Sequence, residues 1–195
     1  MALRFHDTRT RRVEVFAPAE PPKVTVYACG PTVYDHVHIG NLSAYLFYDV
    51  LRRWLGRRGY AVRFVSNITD VDDKTIRDSR KAGVPLAEFT ERYTKAYFED
   101  LAAVGVLPAD AYPRATEHVD GMRAMIQALL DKGHAYLADD GSVYFRVASF
   151  PTYGELANLA KDSLKAGASG RVRADEYEKE DVGDFALWKA YDEAD

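Results

Sequence analysis

Cysteine is nearly absent from this chain: one residue in 195, Cys29. A single thiol cannot close an internal disulfide, which fits a reducing cytoplasm. Long apolar runs are lacking too. None approaches the ~18 residues needed to cross a bilayer, so no membrane association is expected. The N-terminal stretch MALRFHDTRTRRVEVF has no continuous apolar h-region and does not read as a secretory signal. Charge of one sign is not in excess. The formal net charge of -4 by itself points to no nucleic-acid partner. Internal repeats and low-complexity segments are also missing. What remains is an ordinary globular composition, 47% hydrophobic and 29% charged, which argues against long disorder. The length suits one large domain, or a domain carrying an insertion.

The first organised segment is KVTVYA (23–28), β-branched and aromatic, stopped by Cys29-Gly30-Pro31; it reads as a buried strand ending in a turn. From Asn41 to Arg58, Leu42, Tyr45, Leu46, Asp49, Val50 and Trp54 fall near helical spacing, with Gly59 as a stop. Arg52, Arg53, Arg57 and Arg58 cluster here, and Arg171 and Arg173 further on; a solvated helix face or loop is the preferred reading. YAVRFVSNIT (60–69) is a second strand, followed by Asp70-Val71-Asp72-Asp73 and a short helix to Gly83. Strand, helix, strand at this length is a βαβ unit with parallel strands.

A long amphipathic helix is expected from Pro85 to Val104, with Phe89, Tyr93, Tyr97 and Leu101 on one side. The two prolines of VLPADAYPRATEH then mark a change of texture. A helix follows from about Thr116 to Lys132, with Thr116, Glu117 and Asp120 suiting its start. HAYLADDGSVYFRV reads as a hairpin around Asp139-Asp140-Gly141. The polar, Gly-rich segment from Ser149 to Gly183 reads as loop, and DFALWKAYDEAD as a segment starting to be buried. Together these predict an α/β fold: an open sheet begun by residues 1–105, an α+β insertion over 106–180, and a return to the first domain over 181–195. Two parallel strands do not make a stable doubly wound sheet, so the sheet looks incomplete.

YACGPTVYDHVHIGN (27–41) holds the only cysteine and two of the five histidines. As a nucleophile, Cys29 would need His36 or His38 folded back as its base; a small apolar residue closing a buried strand is the commoner role. As a metal site, Cys29, His36 and His38 have a C-x6-H-x-H spacing that matches no usual structural-zinc pattern. As a nucleotide loop, the stretch sits at the C-terminal end of a first strand and leads into a helix N-terminus, where α/β folds bind phosphate. Gly40 removes a side chain, and His38 can donate to a phosphate oxygen. A bland Gly-containing turn with exposed histidines remains the alternative on spacing alone.

Cys29-Gly30-Pro31-Thr32-Val33-Tyr34-Asp35 followed by His38-Ile39-Gly40-Asn41 resembles the first signature of the class I aminoacyl-tRNA synthetases, and in particular the cysteinyl-tRNA synthetases. Asn67-Ile68-Thr69-Asp70-Val71-Asp72-Asp73-Lys74 resembles that family's next block. Tyr153-Gly154-Glu155-Leu156, Ala166-Gly167-Ala168 and Asp184-Phe185-Ala186-Leu187-Trp188-Lys189 resemble later ones at compatible spacings. HIGN alone would be weak; with CGPTVYD and NITDVDDK it is very specific.

The resemblance implies the first half of a Rossmann-like (HUP-type) nucleotide-binding fold, interrupted by the connective insertion. It implies a cysteine–tRNA ligase that activates cysteine with ATP and Mg2+ to cysteinyl-adenylate and passes it to tRNA-Cys. On this reading His38 and Asn41 are catalytic and, with Gly40, bind ATP; Asn41 stands where a second histidine is often found. Gly30 and Thr69 line the cysteine pocket. Cys29 is one zinc ligand, acting with a later Cys, His and Glu, and thiolate-loving Zn2+ would discriminate against serine. For Asp70, Asp72 and Asp73, helix capping is preferred over Mg2+ binding.

The sequence ends before the family's other zinc ligands, the KMSKS loop and the tRNA-reading domains. It therefore reads as the N-terminal portion of such a synthetase, expected to be cytoplasmic and monomeric, with weak zinc affinity and little adenylate formation on its own. Two rivals stand beside it. One is the ligase joining cysteine to a glucosaminyl-inositol in mycothiol synthesis, which shares the activation chemistry. The other is a non-catalytic nucleotide- or partner-binding module.

Overall fold

The computed structural model describes residues 2–158 and 183–191. The block at Ala166-Gly167-Ala168, Arg171, Arg173 and most of the expected loop lie outside them. The described residues divide into two compact units: 17–120, and 2–16 with 121–158 and 183–191.

In the first unit, β3 (Lys23–Ala28) and β4 (Ala61–Ser66) pair in parallel from Lys23↔Ala61 to Ala28↔Ser66. Helix α1 (Ile39–Arg57) connects them, as the βαβ pattern required. It begins two residues before the expected Asn41, because His38 rather than Asn41 caps it. Helix α2 (Asp73–Ala82) ends at Gly83, and α3 (Leu86–Ala103) sits between Pro85 and Val104. Phe89, Tyr97 and Leu101 are buried on the face the sequence marked out, and Tyr93 packs beside them. Val33, Ile68, Tyr97 and Leu101 form the core cluster directly behind the two strand ends.

The proline-containing segment after α3 is not a domain boundary. Residues 110–115 lie along the free edge of β4, with parallel bridges Val65↔Ala111 and Ile68↔Arg114. Ser66 and Ile68 donate backbone N–H groups to Ala111 and Pro113 carbonyls at 3.2 and 2.9 Å. Pro113 has no N–H to return, so the ladder is broken into bridges and no regular strand forms. This is why composition put the boundary at 105/106 while the contacts put it near 120. Thr116 does not cap a helix as expected. Its backbone N–H and hydroxyl both donate to the buried Asp70 carboxylate, at 3.0 and 2.7 Å.

Of the basic cluster, Arg53, Arg57 and Arg58 lie exposed as a solvated face requires, but Arg52 and Arg53 also make specific bonds. Arg52 reaches the Pro108 carbonyl and the Asp110 carboxylate, and Arg53 bonds Asp49 at 2.6 Å and the Gly105 carbonyl at 2.9 Å. These bonds tie α1 to the 105–110 segment. Val50 and Trp54, expected on the inner face, are 62% and 51% exposed.

The second unit carries β1 (Arg4–Asp7) and β2 (Arg12–Val15), an antiparallel hairpin that sequence patterning did not reveal. A 3-10 turn at Ala115–His118 leads from the first unit into α4 (Val119–Asp131). The expected hairpin is β5 (Ala135–Leu137) with β6 (Val143–Phe145). Phe185–Trp188 form β7 and pair antiparallel with β6. Asp184 accepts from the Tyr136 hydroxyl at 3.0 Å and from Val147 N–H at 2.8 Å, which seats β7 on this sheet.

Candidate nucleotide and amino-acid site

The site residues come from two turns at the C-terminal ends of adjacent parallel strands. After β3 the chain runs through Cys29 and Gly30 to His38. The His38 Nδ1 accepts the Gly40 N–H at 3.0 Å, and the Asn41 Oδ1 accepts the His38 N–H at 3.1 Å. This is a reciprocal capping box built from the first and last residues of HIGN. Because a backbone N–H can only donate, Nδ1 must carry a lone pair, and the neutral ring holds its proton on Nε2. No hydrogen bond to Nε2 is made among the described residues, so the cap leaves a fixed donor facing outward.

Gly40 matters to this arrangement directly. A Cβ there would lie 2.8 Å from the His38 Cε1 and 3.0 Å from Nδ1, so any side chain pushes the ring off its cap. Gly30, His38 and Asn41 line one open, polar cavity of about 300 Å³ with Thr32, Tyr34 and Asp35. Gly40 is not among its lining residues, and its contribution runs through His38. Lys74 stands over the Tyr34 ring, 4.9 Å from its centroid. A second, more enclosed space of about 20 Å³, bordered by Ala28, Tyr45, Ser66 and Tyr97, has room for little more than a water molecule and cannot be the ligand site. Burial there raises the Tyr45 hydroxyl to about 12, helped by nearby Cys29 and Tyr48, and pushes Tyr97 up as well.

Thr69 sits on the second turn. It rejoins the ladder past the strand ends, its N–H donating to the Pro31 carbonyl at 3.0 Å and its carbonyl accepting from Val33 at 3.2 Å. Between the two turns lies Asn67, a residue that sequence reasoning quoted within a block but gave no role. Its Oδ1 accepts from Gly30 N–H and from the Tyr27 hydroxyl, both at 2.9 Å, and its Nδ2 donates to the Thr69 Oγ1 at 2.9 Å. The preference for capping at the acidic cluster holds for Asp72, whose carboxylate accepts from Lys74 N–H while Thr75 returns the bond. Asp70 serves as the buried anchor for Thr116 instead.

Cys29 is exposed, so it is not the buried apolar residue that strand ends usually carry. His36 packs edge-on against Tyr93, 5.3 Å between centroids. Among the described residues no group of three His, Cys, Asp or Glu side chains could hold a metal ion. Cys29, His36 and His38 are thus not brought together as a metal site, and the residues present do not fit a zinc ion, which takes four ligands.

A family profile described as "tRNA synthetases class I (C) catalytic domain" matches residues 15–195. The chain belongs to that family. It is 51% identical over 191 residues to the cysteine–tRNA ligase of Brachyspira hyodysenteriae, covering 98% of this chain and 40% of that protein. To the cysteine–tRNA ligase of Symbiobacterium thermophilum it is 50% identical, over 97% of this chain and 40% of the relative. The chain therefore spans about two fifths of these relatives and corresponds to the N-terminal portion of a class I (C) synthetase. Among solved structures, the Mycobacterium tuberculosis methionyl-tRNA synthetase bound by methionyl-adenylate is similar with a TM-score of 0.58 at 16% identity, over 86% of this chain and 45% of that one. At that identity the likeness speaks for the class I fold alone. Within this family member, no described helix is long and apolar enough to cross a membrane.

Proposed function

We propose that this chain supplies the first half of the active site of a cysteine–tRNA ligase. The substrate carboxylate attacks the α-phosphorus of Mg2+-bound ATP, pyrophosphate leaves, and the cysteinyl-adenylate then passes its acyl group to tRNA-Cys. The carrying observation is the His38 ring, capped through Nδ1 at the edge of the 300 Å³ cavity it shares with Gly30 and Asn41. Its Nε2–H donates to phosphate oxygens that gain charge as the pyrophosphate departs. Asn41 holds the ring from the backbone side and borders the same cavity, and Gly40 keeps the ring's place clear. Gly30 and Thr69 line the amino-acid pocket beside it. Cys29, exposed just before Gly30, would give one thiolate to a zinc ion only if further ligands from outside the described residues joined it. Residues 121–158 and 183–191 belong to the connective insertion of the catalytic domain, and the enzyme works as a cytoplasmic monomer.

Cysteine-dependent ATP–pyrophosphate exchange, measured on the full-length ligase of which this chain is the N-terminal portion, tests this reading. His38→Ala is expected to cut kcat by about a hundredfold or more, the usual loss of one transition-state donor. Absence of any cysteine-dependent exchange in the wild type would overturn it in favour of a non-catalytic binding module.

A further inference from the structure

We propose that Asn67 is the positioning residue of the amino-acid pocket, setting both the place of Gly30 and the direction of the Thr69 hydroxyl. The inference rests on the reading above, in which Gly30 and Thr69 line that pocket. Gly30 N–H can only donate, so the carboxamide face toward it must be Oδ1, and this orients the whole amide without ambiguity. Nδ2 then faces Thr69 and must donate to its Oγ1. A hydroxyl that accepts there has its own proton free for another partner. Thr69 is thereby held as a donor, suited to an anionic group of the substrate such as a carboxylate or thiolate.

The second half of the argument is steric. A Cβ on Gly30 would lie 1.7 Å from the Asn67 carbonyl oxygen, so the two turns touch backbone to backbone at this point. Tyr27, the penultimate residue of β3, donates its hydroxyl to the same Oδ1 at 2.9 Å. Both acceptor positions of the Asn67 Oδ1 and one of its two Nδ2–H groups are used on protein partners. Its influence on the pocket passes through Thr69 and Gly30.

Asn67→Asp isolates this role. It keeps the shape and both acceptor bonds but removes the donor to Thr69. The Thr69 hydroxyl then turns to donate into the new carboxylate, and its proton is lost to the substrate. In cysteine-dependent exchange on the full-length ligase, the expected result is a KM for cysteine raised about tenfold, the loss of one hydrogen bond to a charged group. The KM for ATP should stay within about twofold. Thr69→Val should raise the cysteine KM similarly, Thr69→Ser should retain it, and the Asn67→Asp/Thr69→Val pair should be no worse than Thr69→Val alone. The Gly30 amide of the 195-residue chain should keep the small temperature coefficient of a hydrogen-bonded N–H in Asn67→Asp and lose it in Asn67→Ala. Tyr27→Phe, at an exposed ring, is the milder variant and should raise the cysteine KM about twofold. If Thr69→Val is active and Asn67→Asp and Tyr27→Phe are both silent, the positioning role is overturned while the pocket assignment stands. Additive effects, or equal loss for ATP and cysteine, overturn it as well. A silent Thr69→Val removes the pocket assignment itself, and the positioning role with it.

Discussion

The turns after β3 and β4 leave neighbouring parallel strands, and each ends in a reciprocal capping box, His38 with Asn41 and Asp72 with Thr75. There the likeness stops. The second turn is tied inward: Ile68 and Asp70 are buried, and Asp70 holds Thr116 by two bonds. The first turn faces out, with His38, Gly40 and Asn41 exposed along an open cavity. The same local device thus serves opposite ends. Where the cap is a carboxylate it has no donor to offer; where it is an imidazole, one nitrogen caps and the other makes no hydrogen bond among the described residues. The first turn and the helix start it leads into also need two glycines for different reasons. Gly30 makes room for another turn's backbone, whereas Gly40 makes room for a single ring.

The largest way to break the comparison is to fill those two spaces. Gly30→Ala places a methyl 1.7 Å from a backbone oxygen that cannot step aside without parting the turns. A loss of about 3 kcal/mol or more is expected, read as a lower midpoint in urea denaturation. Gly40→Ala meets only the end of a side chain, and alanine favours a helix by about 1 kcal/mol. Its stability should change by less than about 1 kcal/mol, while the His38 ring leaves its cap and exchange activity falls.

A smaller effect separates the anchored turn from the open one. Asp70→Ala leaves the Thr116 hydroxyl and N–H without their buried acceptor, a cost of about 2–3 kcal/mol. Asn41→Ala removes one exposed capping bond and should cost about 0.5–1 kcal/mol. If both cost the same in thermal melts, the distinction between an inward and an outward turn fails.

A further effect is alkaline. Burial lifts Tyr45 from 10.0 to about 12. Above pH 10 the unfolded chain releases this proton while the folded chain keeps it, so stability falls as pH rises from 10 to about 12. Tyr97, moved in the same direction, adds to the same slope. Tyr45→Phe should flatten it in a pH series of melting temperatures.

Much of the fold was legible in the chain itself. β3 begins at Lys23 and ends at Ala28 as its β-branched run and the following Gly-Pro require, and α2 and α3 end within a residue of their punctuation. The site's residue types were legible through HIGN and NITDVDDK. What was not legible was whatever depends on distant partners. Residues 110–115 look like a loop because prolines interrupt them, yet they sit on β4. Phe185–Trp188 carry no mark of which sheet will receive them; Tyr136 and Val147, meeting Asp184, decide that.

By itself, then, the sequence determined where most strands and helices start and stop, and which residue types stand at the turns after β3 and β4, because periodicity, capping and turn preferences act over a few residues. Only the tertiary structure decided that Cys29 is exposed rather than packed, and that Asn67 joins Tyr27, Gly30 and Thr69. Those facts depend on two turns some forty residues apart coming into backbone contact, and no local propensity encodes such a distance.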